Sequence, residues 1–240
     1  MSGHSKWANI RHRKGAADKR RAALFTKLAK AITVAAREGG GDPEFNFRLR
    51  TAIDSAVSGN MPKDNIDKAV KRGTGEIGGD NIEEVLYEGF GPGGIAVLVE
   101  ALTDNRNRTS ANLKHLFGRY GGNLAGSGAV QWMFERRAVI RLKEGQPLTE
   151  GQEMALIDAG TEDIAEEEGR QIALAPATDL SRIREAAEAV GLEVGSAGLE
   201  WVCKEPVSVG GAERKSLEGL LESLDDDEDV NEIYTSAEFI

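Results

Sequence analysis

The sequence predicts an α+β protein of several domains: an N-terminal three-helix domain followed by two ferredoxin-like α/β domains, the third inserted in the second. Two observations and one inference carry this. Apolar residues follow a helical period up to Gly73, and strand-like runs take over beyond a Gly-rich stretch from Thr74 to Asp80. Within the later part, residues 138–201 spell β-α-β-β-α-β, the split βαβ order. The pieces on either side, β-β-α-β before residue 135 and β-α-β after it, each lack a partner half, and joining them gives one interrupted domain. The expected boundaries are 1–78 for a basic tail and helical domain, 79–135 plus 204–240 for a discontinuous α/β domain, and 136–203 for the inserted one. A chain of 240 residues accommodates two or three domains of ordinary size.

The elements follow in order. Residues 1–15 mix Gly and Ser with basic residues and no sustained period, so they are expected to order only on binding. A first helix is predicted from Ala16 to about Arg37, with Leu24, Leu28, Ile32 and Ala35 as its apolar stripe. Lys19, Arg20, Lys27, Lys30 and Arg37 share another face, within an arc of about 100°. Asp42-Pro43 reads as the cap and first residue of a second helix, whose stripe is Leu49, Ala52, Ile53 and Ala56. Met61-Pro62-Lys63-Asp64 opens a third, with Ile66, Ala69 and Val70 inward and Gly73 as its stop.

Strands are expected at Val85–Phe90 and Ile95–Leu102 around a Gly-Pro-Gly-Gly turn, then a helix at Thr109–Tyr120 and a strand at Ala129–Phe134. The ferredoxin-like block has strands at Ala138–Leu142, Asp163–Glu167, Gln171–Ala175 and Glu193–Trp201, with helices at Thr149–Ala159 and Asp179–Val190. A short strand near Val207, a helix at Ala212–Leu224 and a strand at Val230–Tyr234 finish the chain.

Net charge is −10, which read alone argues against a polyanionic partner. Its distribution argues the reverse. Residues 1–73 hold 16 Lys+Arg and 7 Asp+Glu, and residues 1–37 hold ten cations with one acid, Asp18. A basic arm joined to an acidic body suits phosphate binding without indiscriminate adhesion. Lys6, Arg11, Arg13, Lys14, Lys19, Arg20, Lys27 and Lys30 are spaced to follow a phosphate backbone. Trp7, with His4, could stack on an exposed base, although Trp7 could equally fold onto the bundle. Arg106 and Arg108 precede a predicted helix and suggest a second anion contact, against the equally good reading that Asp104 or Asn107 caps the helix and the arginines are solvated.

Other motifs point away from catalysis and cofactors. Two literal G-x-G-x-x-G matches, at Gly73 and Gly89, lack the strand-to-helix setting of a dinucleotide site. The acidic run Asp225–Asp229 lacks calcium-loop spacing and is expected to be a solvated turn. Three histidines and one cysteine supply no usual zinc set, and neither a nucleophile elbow nor a Walker A loop occurs. The single cysteine cannot form an internal disulfide, which fits a reducing cytoplasm, and no apolar stretch is long enough to span a bilayer. No enzyme activity, cofactor, metal, membrane or small-molecule substrate is expected.

Several blocks resemble one family closely. Gly3-His4-Ser5-Lys6-Trp7 with Ile10, Arg13 and Lys14, Gly59-Asn60-Met61-Pro62-Lys63-Asp64-Asn65-Ile66, and Tyr87-Glu88-Gly89-Phe90-Gly91-Pro92-Gly93-Gly94 are similar to signatures of the YebC family. So are Thr103-Asp104-Asn105-Arg106-Asn107-Arg108-Thr109 and Gly126-Ser127-Gly128-Ala129-Val130. That family includes the mitochondrial translational activator of cytochrome c oxidase. The likeness spans nearly the whole chain in order and is weakest between about residues 143 and 177. It implies a helical domain and two α/β domains, the third inserted in the second. It also implies a cytoplasmic role in gene expression without catalysis, labelled DNA-binding transcriptional regulation, with a ribosome- or RNA-bound translation factor as the alternative. The target is therefore expected to be DNA or structured RNA. A metal-dependent nuclease using the 225–229 run and a protein-docking scaffold are the rival classes.

Overall fold

The computed structural model describes residues 17–79, 81–167 and 169–239. It divides into two compact units. One covers 134–202, and the other comprises the described residues up to Met133 and from Cys203 onward. Among the described residues no helix is long and apolar enough to cross a membrane.

The larger unit begins with α1 (Ala17–Gly39), α2 (Phe47–Ser58) and α3 (Lys63–Gly73). Ile32, Ala35 and Ala36 of α1 meet Leu49 and Ala56 of α2 and Met61, Ile66 and Ala69 of the third segment. Apart from Leu24, the residues of the predicted apolar stripes therefore belong to one core. The start of α2 differs from expectation. Asp42 caps only a turn, accepting from the Glu44 N–H at 2.9 Å, and Asn46 caps the helix, accepting from the Leu49 N–H at 3.0 Å. Asn46 also donates to the carbonyls of Ala35 and Gly40, both at 2.8 Å. A buried amide can serve both helix ends at once, whereas a carboxylate has no proton to offer the end of α1.

Gly73 ends α3 against α1, at a close approach reinforced by Thr33 Oγ1, which lies 3.1 Å from the Ala69 carbonyl oxygen. A Cβ at Gly73 would sit 2.4 Å from the Thr33 carbonyl oxygen and 2.6 Å from the Ala36 Cβ. Gly73→Ala is expected to separate the helices and cost about 2 kcal/mol of stability. Urea unfolding of the full chain measures this, and an unchanged midpoint would show that the contact is not tight.

The α/β part of this unit contains β1 (Glu83–Phe90), β2 (Ala96–Thr103), α4 (Arg106–Arg119) and β3 (Asn123–Leu124). After the insertion come β8 (Val207–Val209), α7 (Gly211–Asp225), β9 (Val230–Thr235) and β10 (Ala237–Phe239). The sheet order is β3-β1-β2-β9, with every pairing antiparallel. Strand β9 pairs with β2, so the two chain segments flanking the insertion build one sheet. Val97 and Val99 pack with Leu113 and Phe117 of α4 and Leu217, Leu221 and Leu224 of α7. The expected strand at Ala129–Phe134 is instead a 3₁₀ turn, Gln131–Met133, followed by the first strand of the insertion.

The smaller unit has β4 (Phe134–Leu142), α5 (Glu150–Asp158), β5 (Asp163–Glu167), β6 (Arg170–Pro176), α6 (Leu180–Ala189) and β7 (Val194–Cys203). The order β5-β6-β4-β7 with a helix after the first and third strands is the ferredoxin-like arrangement. Arg141 of β4 and Glu200 of β7 form a buried two-pronged ion pair, at 2.6 and 2.9 Å.

Candidate nucleic-acid interface

Lys6, Trp7, Arg11, Arg13 and Lys14 lie outside the described residues, as do the side chains of Lys19 and Arg20, whose backbone forms the first turn of α1. Lys27 and Lys30, expected to meet phosphates, meet carboxylates of their own chain. The Lys27 ammonium donates to the Asp225 carbonyl and lies 3.4 Å from its carboxylate. Lys30 Nζ is 2.6 Å from Asp229 Oδ1 and donates to the Glu228 carbonyl at 3.0 Å. Only 11% and 14% of these lysine side chains is exposed.

The acidic run forms the expected turn between α7 and β9, with Asp226 and Glu228 exposed, but its last residue is not solvated. Asp229 is 1% exposed and sits between α1 and the N-terminus of α4. The Arg108 Nη2 group donates to both its oxygens at 2.9 and 2.8 Å, and Thr109 Oγ1 reaches Oδ2 at 2.8 Å. Burial works to raise the Asp229 pKa, but the donors from Lys30, Arg108 and Thr109 outweigh it and hold the carboxyl below its ordinary value. Bonding to Asp229 raises the Arg108 pKa against the opposing effect of burial. Asn105, rather than Asp104 or Asn107, caps α4, accepting from the Arg108 N–H at 3.0 Å. Arg106 remains largely exposed while its Nε donates to Glu83 at 2.5 Å. The two arginines thus share a turn but not a role.

Beside this cluster, the two parts of the unit enclose a cleft of about 430 Å³. Lys30 lines it from α1, Asn65, Lys68 and Arg72 from α3, and Asp104 and Arg108 from the turn before and the start of α4. Sequence reasoning passed over Lys68 and Arg72. Their i, i+4 spacing was a usable signal, obscured by Asp64 and Asp67 on the same helix.

A second built feature explains two motif blocks together. Glu88 of β1 is 3% exposed and accepts from the backbone N–H groups of Gly128, Val130 and Gln131 at 2.6, 2.7 and 2.8 Å. Burial acts to raise its pKa, and these N–H donors, with that of Ala129, lower it more. The loop so held presents Trp132, 68% exposed, with its indole N–H donating to the Ala129 carbonyl at 3.1 Å.

The family model described as the TACO1/YebC second and third domain matches residues 82–237, and the TACO1/YebC N-terminal domain matches residues 5–76. A probable transcriptional regulatory protein of Pseudothermotoga lettingae is 47% identical over 239 residues, 99% of this chain and 94% of that protein. One of Thermotoga maritima is 49% identical over 240 residues, again 99% and 94%. The crystal structure of a conserved hypothetical protein from Aquifex aeolicus has a TM-score of 0.85 at 39% identity, covering 98% of this chain and 97% of that one.

Proposed function

The chain belongs to the TACO1/YebC family, and from that premise we propose that it is a non-enzymatic, cytoplasmic, nucleic-acid-binding regulator of gene expression. The observation that carries this reading is the charge division: ten cations against one acid in residues 1–37, attached to an acidic remainder. The naming of relatives as probable transcriptional regulatory proteins supports the regulatory role. Because Lys27 and Lys30 are neutralised by Asp225 and Asp229, the polyanion falls to Lys6, Arg11, Arg13, Lys14, Lys19 and Arg20, with exposed Arg21 beside them.

One observation favours an RNA target and a role at the ribosome over promoter DNA. Trp7 and His4 lie among the tail cations, and an aromatic ring can stack on the unpaired bases that RNA loops present. Cosedimentation with ribosomes against enrichment on promoter DNA distinguishes the two.

The binding reading is tested with a K6A/R11A/R13A/K14A variant and a labelled single-stranded RNA of about 20 nucleotides. Each phosphate contact contributes about 0.7 to the slope of log K against log salt, so removing four cations is expected to flatten it by about 3. A variant that binds like the wild type at every salt concentration would sink the assignment.

A further inference from the structure

We propose that the α3 wall of the cleft, Lys68 and Arg72 with Asn65 beside them, is a second phosphate-contact site that takes the backbone of the same nucleic-acid strand. This rests on the binding reading above and adds a place to it.

On α3 these residues lie at i, i+3 and i+7, which puts them on one stripe, while Ile66 and Ala69 turn into the helical core. Lys68 and Arg72 are like charges four residues apart, a spacing that opposes helix formation unless an anion lies between them. Neither has a carboxylate within ion-pair distance among the described residues, although Asp64 and Asp67 share the helix. The cations of the facing wall are already matched: Lys30 by Asp229, and Arg108 by Asp229 and Asp104. The uncompensated positive charge of the cleft is therefore concentrated on α3, opposed by Glu228.

Gly79, in the linker, lies close to the Arg72 stem: a Cβ there would be 3.0 Å from the Arg72 Cδ and would push that flexible side chain aside by a few tenths of an ångström.

The cleft also continues the basic segment. Phe25, Thr26 and Ala29 line it, so it opens about one helical turn after Arg21 on the same helix. A strand that follows α1 from the exposed Arg21 enters the cleft that Lys68 and Arg72 line. That continuity favours a polymer of phosphodiesters over a free nucleotide.

The test compares the full-length wild type with K68A/R72A and with K114A/K215A, a charge-matched change at exposed lysines on α4 and α7. Binding of the same labelled RNA is followed over a range of salt. The expected result is a slope flattened by about 1.4 for K68A/R72A, with affinity at least tenfold weaker at 0.1 M salt, an unchanged thermal midpoint, and no comparable change in K114A/K215A. Combining K68A/R72A with the tail variant is expected to add the two slope losses.

An unchanged slope in K68A/R72A, or an equal loss in K114A/K215A, overturns the site while leaving the binding reading intact. A wild type that binds no nucleic acid overturns both. Competition by millimolar inorganic phosphate or nucleoside monophosphate, as effective per phosphate as the strand itself, would reassign the cleft to free anions and overturn the strand.

Discussion

Asp229→Ala is expected to lower the unfolding free energy by about 4 kcal/mol, because it removes one partner from a buried charge cluster and leaves the others in place. Lys30 and the Arg108 guanidinium would each lose a carboxylate within 3 Å, and Thr109 would lose an acceptor. Asp229→Asn is expected to be milder in shape but still destabilising, since its amide nitrogen brings two more protons toward groups that already donate. The effect also has a pH signature. The Asp229 pKa is held below its unfolded value, so its contribution is present above roughly pH 4, the ordinary carboxylate range, and is lost as pH falls through the folded value. The difference in urea midpoint between wild type and Asp229→Ala should therefore shrink on acidification from pH 7 toward pH 3. A difference that is constant or grows over that range would refute the assigned charge state.

That cluster also shows what local pattern could and could not reveal. The helices and most strands were legible because period and punctuation act over a few residues: the α1 stripe, Gly73 and the Gly-Pro-Gly-Gly turn all lie where expected. The charges were equally visible, a cationic face on α1 and an acidic run at 225–229. Their pairing across about two hundred residues was not, because nothing local to either segment names a partner. Asn46 was missed for a related reason. As a cap it competes with Asp42 on equal terms, until the carbonyls of Ala35 and Gly40 demand a donor. The false strand at Ala129–Phe134 had the right composition, but its N–H groups at Val130 and Gln131 are spent on Glu88, some forty residues earlier. β3 and β10 are too short to carry an alternation. Lys68 and Arg72 could have been read from spacing alone, but the cleft that makes the spacing matter exists only once α3 faces the α/β part.

The Glu88 anchor is where the second large effect is expected. Each N–H it accepts is a charge-assisted bond, and Val130 is fully buried, so water cannot substitute there. Glu88→Ala is expected to cost about 4 kcal/mol, the three contributions being less than additive because the loop can relax. Glu88→Gln restores one acceptor oxygen but points an amide toward N–H groups, so it is expected to recover about half of the loss. Amide hydrogen exchange separates this from a general destabilisation. The N–H groups of Gly128, Val130 and Gln131 should lose protection in Glu88→Ala before the β1–β2 ladder does, because Glu88 is the acceptor that all three share. If those amides stay as protected as in the wild type while global stability falls, Glu88 acts through packing of β1 and not through the loop. If they alone are lost, the carboxylate is what converts the Gly126–Val130 segment from a strand-like run into a fixed turn and sets the exposed ring of Trp132 in one place.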